Sequence, residues 1–513
     1  MRHFLDHFFD VYQNGVFIYC CAIYCCYLLL TIFSYVSILA DIRRNHLRKN
    51  LVLIQSQLTP GISIIAGAFN EELTIISNVR SLLTMNYPLY EVVIVNDGST
   101  DNTMNSLVRE FELTEVEFAY FPLLPSKPVQ RIFKSENPAC SNLLVIDKLN
   151  GGSKADAINA GINAASYSYF LNTDVDCILH KDTLVQMIQP FLDDEKRVIA
   201  VGATLRMVNS CQVESGVIVQ MKAPREFLPA FQEIEYTRSF VLGKMGWNLI
   251  NAIPNVSGGL GLFDKEIVIA AGGYDASSFG EDIDMIMRMS KYMCEQKQPY
   301  AIRYLPQTLC WTEGPSSLKV FKNQRIRWGR GLYQIISSYY KLILNPKYGR
   351  LGLIVLPYNF IFEFCAPVIE FVGILCYIYL ITLHLVNWPY AIVLLLFVYT
   401  FSVCLTLLSI VWDQLVTRRY RLREVMRLCA LTFIEPFVYH PLVMVFALWG
   451  YVKQFLKVTS HWGHMQRKGF APATIPVPSL REAGPSLREA GPSLREAGLP
   501  AGRQVPSPIE RLP

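Results

Sequence analysis

Charge is scarce in this chain of 513 residues: Asp, Glu, Lys and Arg make up 17% of it, against about 25% in ordinary soluble domains. No CxxC pair occurs, which speaks against the common structural zinc modules. The 13 cysteines also form no disulfide framework, because Cys20, Cys21, Cys25 and Cys26 share one apolar run and the rest are scattered singly. They read as small apolar packing residues. The P-loop pattern GxxxxGK[ST] is absent, and the net charge of +5 is too small and too dispersed for a nucleic-acid partner. A hydrophobic content of 52% excludes a wholly disordered chain.

What is present is unevenly spread. Gly15–Ala40 and Tyr390–Trp412 contain no charged residue, while Asp41–Arg350 has the composition of a globular domain. The first run is 26 residues long, and about 20 suffice to cross a bilayer. It lacks the basic start and the short apolar core of a signal peptide, so it reads as a permanent anchor. Arg43, Arg44, Arg48 and Lys49 follow it and put that side in the cytoplasm. Phe360–Val386 and Tyr390–Trp412 are two further expected spans, and Arg418, Arg419, Arg421, Arg423 and Arg427 return the chain to the cytoplasm. Leu428–Val452 carries Glu435-Pro436 and His440-Pro441 near its centre, which favours a broken, re-entrant or interfacial helix pair with both ends cytoplasmic. Glu363 and Glu370 fit either a polar path or snorkelling at the interface. The chain is thus expected to be a multi-pass protein of the inner or cytoplasmic membrane, with lipid as one partner. Three PSLREAG repeats from Pro478 to Gly498 hold Pro and Gly in every unit, so they cannot form a heptad coiled coil and are expected to be disordered.

Between the membrane segments, apolar strands alternate with helices, the pattern of an α/β, mainly parallel sheet. Expected strands are 62–66, 91–95, 143–147 and 167–172; expected helices are 70–84 and 153–165. Ligands in such sheets bind beyond the carboxyl ends of the strands. Phe69-Asn70-Glu71, Asp97 and Asp174-Val-Asp176 stand at those ends. Two carboxylates leaving a strand end suit a divalent cation with positions open for phosphate oxygens, although Asp-x-Asp alone also fits a solvated turn. Gly151-Gly-Ser-Lys154 before a helix can bring backbone amides and a lysine to an anion. Further on stand Glu281-Asp282, which alone also fits a helix cap, and Gln324-Arg-Ile-Arg327-Trp328 followed by Gly329-Arg-Gly331. Their order and separation are the informative feature.

In that order the sequence resembles the inverting, membrane-embedded family-2 glycosyltransferases, the group of cellulose, chitin, hyaluronan and poly-N-acetylglucosamine synthases. The resemblance covers about residues 60–330 and rests on Phe69-Asn-Glu-Glu72 with Val95-Asn-Asp-Gly-Ser99, Asp174-x-Asp176, Glu281-Asp282 and Gln324-x-x-Arg327-Trp328. It implies a GT-A-like, Rossmann-like fold. It also implies donor-binding roles for Phe69, Asn70, Glu71, Asp97, Lys154, Asp174, Gln324 and Arg327, and Mg²⁺ or Mn²⁺ held by Asp174 and Asp176. Asp282 would be the general base beside Glu281, and Trp328, with Ser257 and Gly258, would receive the acceptor.

The expected function is transfer from a UDP-sugar to a growing β-linked polysaccharide, with transfer of one sugar to a lipid or lipid-linked glycan as the alternative. A non-enzymatic membrane assembly subunit is disfavoured because every carboxylate is present. The short membrane part leaves room for export or accessory subunits. The expected organisation is an anchor and linker (1–50), a catalytic domain (51–315), the signature segment with interfacial helices (316–350), a membrane region (351–457) and a cytoplasmic tail (458–513).

Overall fold

The computed structural model describes residues 2–47, 58–214, 216–315 and 317–458; the PSLREAG repeats lie outside the described residues. Twelve strands follow one another as β1 (Ile62–Ala68), β2 (Tyr90–Asp97), β3 (Leu113–Glu115), β4 (Val129–Ser135), β5 (Leu143–Lys148), β6 (Tyr169–Asp174), β7 (Ile178–Leu179), β8 (Arg197–Met207), β9 (Gln212–Glu214), β10 (Val217–Gln220), β11 (Leu260–Asp264) and β12 (Tyr300–Thr312). Ten of them form one mixed sheet in the order β3-β4-β5-β2-β1-β6-β11-β8-β12-β7, and β9 pairs with β10 in a separate hairpin. The four adjacent strands β5-β2-β1-β6 are all parallel. Their apolar residues are buried in unbroken runs, such as Val92–Val95 and Leu143–Ile146, as expected where helices cover both faces.

The helices that matter for the site and the membrane are α1 (Arg2–Leu47), α2 (Ile75–Leu82), α3 (Lys154–Ala164), α4 (Phe227–Thr237), α5 (Glu281–Glu295), α6 (Leu318–Tyr339), α7 (Cys365–Thr382), α8 (Trp388–Thr417), α9 (Leu422–Thr432) and α10 (Glu435–Phe455). Two elements differ from the sequence expectation. The helix expected from residue 70 begins at Ile75, because the amides of Asn70, Glu71 and Glu72 donate to Ser99, Thr103 and Asp101 in the loop after β2. Strand β6 runs to Asp174 rather than stopping at Asn172, because its polar residues find partners inside: Asn172 donates to the Tyr274 hydroxyl at 3.1 Å and Thr173 to the Gly259 carbonyl at 3.0 Å.

Among the described residues, three helices are long and apolar enough to cross a membrane: Tyr12–Arg43, Leu351–Thr382 and Trp388–Thr417. The second begins before Phe360 and ends at Thr382 instead of Val386, since His384 turns the chain with φ 53° and the Asn387 side chain caps α8 by accepting from the Tyr390 amide at 3.3 Å. Helices α9 and α10 are bent by 65° at a short break, where Glu435-Pro436 opens α10.

The sheet is tied to the apolar helices by a buried ionic cluster. Arg206 on β8 pairs with Asp413 on α8 and, at 3.3 Å, with Glu233 on α4. Glu233 also accepts from the Met207 amide at 2.9 Å and the Tyr420 hydroxyl at 2.8 Å. Charges removed from water in this way persist only when each has several partners.

Helix α6 lies between α5 and α10, and its two glycines permit both approaches. A Cβ at Gly329 would stand 2.5 Å from the Ala447 carbonyl oxygen, and one at Gly450 would stand 2.5 Å from that of Ile326. A Cβ at Gly331 would stand 2.9 Å from the Gly280 amide nitrogen, directly before α5.

Candidate active site

The carboxyl ends of β1, β2 and β6 open onto one cavity of about 1940 Å³. Phe69, Asn70, Glu71, Asp97, Lys154, Asp174, Asp176, Ser257, Gly258, Glu281, Asp282, Gln324, Arg327 and Trp328 all line it. These fourteen residues are therefore brought to one space, although they derive from seven separate segments of chain. The cavity continues past Trp328 to Tyr19, Glu363, Glu370 and His440 between the apolar helices.

Asn70 sets the edge near β1 and β2. It adopts φ 56°, a left-handed conformation that Asn tolerates better than most residues, and its side-chain oxygen accepts from the Thr100 amide at 2.8 Å. Glu71 accepts from the Thr74 hydroxyl at 2.9 Å. Asp97 ends β2 and is buried; Lys148 and the Gly151 amide, at 3.0 Å, both meet its Oδ1. The glycines before α3 thus differ from the expectation: the amides of Gly151 and Gly152 bond Asp97 and Asn150 Oδ1 rather than facing an anion. Ser153 caps α3, and Lys154 in its first turn reaches the cavity.

Lys154 pairs with Asp174 Oδ1 and donates to the Gly258 carbonyl at 2.7 Å. Burial disfavours its charge, but Asp174 more than offsets that, helped by Glu281, and raises its pKa. Asp174, Asp176 and Cys177 present ligand atoms within 4.8 Å of one another. The two carboxylates suit a hard divalent cation, whereas a thiol does not. Contact with Cys310 and burial push the Cys177 thiol well up, so the carboxylates are the fitting donors. The loop beside them lies close: a Cβ at Gly259 would stand 3.5 Å from Asp174 Oδ2.

Across the cavity, Glu281 and Asp282 open α5. Burial raises the Glu281 pKa; Arg327, 3.7 Å away, opposes this and Asp282 adds to it, and the result lies above the ordinary value. Asp282 Oδ1 accepts from the Ile283 amide at 2.9 Å. Gln324 accepts from Gln232 at 3.3 Å, which ties the start of the signature to α4.

Several lining or supporting residues were not read from the sequence. Lys148 is fully buried between Asp97 and Asp156, the latter at 2.5 Å. Its only signal was a charge closing an apolar run. Lys244 lines the cavity and bonds Asn255 through both its carbonyl, at 2.5 Å, and its side chain. Burial lowers its pKa to about 8, against the pull of Asp282.

Residues 60–331 match the family model described as Glycosyltransferase like family 2. A poly-β-1,6-N-acetyl-D-glucosamine synthase from Staphylococcus epidermidis is 27% identical over 345 residues, covering 67% of this chain and 71% of that protein. The enzyme of the same name from Staphylococcus aureus strain COL is 27% identical over 276 residues, covering 54% and 55%. Among solved structures, a mannosyltransferase from Pyrobaculum calidifontis in complex with GDP-Man and Mn²⁺ aligns with TM-score 0.46 and 15% identity, over 85% of this chain and 99% of that one.

Proposed function

The chain belongs to the glycosyltransferase-like family 2, and from that membership we propose that it is an inverting, processive transferase moving sugar from a UDP-sugar to a growing β-linked polysaccharide at the cytoplasmic membrane face. The names of the staphylococcal relatives support N-acetylglucosamine as the sugar and β-1,6 as the linkage. One observation carries the proposal. The cavity that holds Asp174 and Asp282 runs on past Trp328 to Glu363, Glu370 and His440 between apolar helices, so a glycan leaving the acceptor position has a lined route ahead of it. Transfer to a small soluble acceptor needs no such extension.

Phe69, Asn70, Glu71 and Asp97 take the nucleoside, and Lys154 takes the diphosphate as a point charge. Asp174 and Asp176 would hold Mg²⁺ or Mn²⁺, which would supply positive charge against the negative charge of the departing diphosphate. Asp282 accepts the proton of the acceptor hydroxyl as that oxygen attacks the anomeric carbon. Glu281 keeps Arg327 at the donor side, and Gln324 with Arg327 closes the donor site. Trp328 stacks on the acceptor sugar, with Ser257 and Gly258 along its edge. Attack opposite the diphosphate inverts the centre, so an α-linked donor yields a β-linkage.

The same reading divides the chain into an anchor and basic linker (1–50), a catalytic domain (51–315), a signature segment (316–350), a membrane region (351–457) and a tail (458–513). Membranes carrying the full chain, incubated with UDP-N-acetylglucosamine and Mg²⁺ or Mn²⁺, are expected to release UDP and form polymer. A product of one sugar on a lipid would replace the polysaccharide reading, and no UDP release from any nucleotide sugar would overturn transfer itself.

A further inference from the structure

Arg325 is the second residue of Gln324-Arg-Ile-Arg327-Trp328, and the reaction as described does not use it. Its side chain is 3% exposed, a rare setting for an arginine unless it is paired. Both terminal nitrogens are engaged, while the buried Nε has no hydrogen-bond partner among the described residues. Nη1 and Nη2 donate to the two carboxylate oxygens of Glu235 at 2.7 and 2.5 Å, and Nη2 also donates to the Tyr439 hydroxyl at 2.7 Å. That hydroxyl in turn donates to Glu235 Oε2 at 2.5 Å. The guanidinium carbon stands 4.3 Å from the centroid of the Trp328 ring and 4.9 Å from that of Phe321.

Trp328 lies three residues after Arg325 on α6, so the two side chains share one helix face. A planar guanidinium clamped by a bidentate carboxylate has one orientation only. The indole packed on it inherits that orientation. Glu235 comes from α4 and Tyr439 from α10, so the clamp is referred both to the catalytic domain and to the apolar helices.

We propose that Arg325 is a positioning residue for transfer: it fixes the plane of the Trp328 indole, and through Glu235 and Tyr439 it sets that plane relative to both the catalytic domain and helix α10. The consequence for acceptor binding rests on the reading of Trp328 as the acceptor platform. Lysine cannot replace Arg325, because an ammonium has no plane to stack and no fork to meet Glu235.

The test uses the full chain in lipid nanodiscs, labelled with 5-fluorotryptophan, with the Trp328 ¹⁹F resonance assigned by its loss in Trp328→Phe. In Arg325→Met and Arg325→Lys that resonance is expected to shift or split while the other indoles stay in place. The KM for a short N-acetylglucosamine oligosaccharide is expected to rise about tenfold, the scale of a desolvated cation–π contact, with the KM for UDP-sugar unchanged. Glu235→Gln, which preserves shape, is expected to move the same resonance if the arginine variants fold poorly. A Trp328 resonance unmoved in all three variants overturns the positioning role. A moved resonance with an unmoved acceptor KM, in these variants and in Trp328→Phe, overturns the acceptor-platform reading instead.

Discussion

The ammonium of Lys154 sits on Oδ1 of Asp174 and is held there by the Gly258 carbonyl at 2.7 Å. The group assigned to the diphosphate thus neutralises a carboxylate assigned to the cation. Binding of both ligands is expected to compete with this pair.

Chelation is therefore expected to abolish UDP release, and Mn²⁺ or Mg²⁺ to restore it. Lys154→Met is expected to raise the KM for the UDP-sugar while lowering the metal concentration needed for half-activation, because Asp174 no longer has a competing cation. Titration of UDP release against metal checks this, and an unchanged half-activation point would remove the competition.

Asp282→Asn keeps the shape of the side chain and removes the carboxylate proposed as the base. UDP release is expected to fall by about 10² to 10⁴, with binding of UDP to the variant unchanged in a calorimetric titration. A loss below tenfold would move the base elsewhere, with Glu281 the next carboxylate along the helix.

Gly331 faces the Gly280 amide, and an added Cβ would meet it at 2.9 Å. Backbone cannot swing aside as a side-chain tip can, so Gly331→Ala is expected to cost about 1 to 3 kcal/mol and to displace Glu281 and Asp282. Gly15→Ala, where a Cβ meets nothing within 4 Å, is the control and is expected to leave thermal unfolding and UDP release near wild type.

Lys244 supplies a pH test. Its pKa is lowered to about 8 from 10.5 by burial, so between these values the unfolded chain binds more protons than the folded one, and stability rises with pH. The penalty for the buried charge is full below about pH 8 and is relieved towards pH 10.5. Wild-type protein is expected to gain thermal stability relative to Lys244→Met over that window; parallel melting curves at pH 7.5, 9 and 10.5 read it, and parallel behaviour of the two proteins would count against it.

The strands of the parallel core were legible because burial on both faces makes them continuous apolar runs, as in Glu91–Val95 and Leu143–Asp147. The end of β6 was not, because Thr173 and Asp174 look like loop residues until the Gly259 carbonyl is brought beside Thr173 by the fold. The same distinction holds for the site. Asp174, Asp282 and Trp328 stand in motifs visible along the chain, and the fold brings all three to one cavity. Lys148, Lys244 and Arg325 owe their significance to partners distant in sequence, among them Asp97, Asn255 and Glu235. Local spacing carries no record of such partners. The glycine amides before α3 show the converse error, since a motif that can cradle an anion is occupied by the protein's own Asp97 and Asn150.

Gly329 and Gly450 face each other's helix with no room for a methyl group on either side, each held to within 2.5 Å of an opposing carbonyl oxygen at the Cβ position. Neither residue can therefore drift in evolution while the other helix stays as it is. The reciprocal contact makes α6 and α10 a single heritable unit, although one belongs to the signature segment and the other closes the apolar region. A chimera that grafts a foreign catalytic domain up to residue 339 onto these helices inherits half of that joint, and the matching residues 435–455 would have to travel with it.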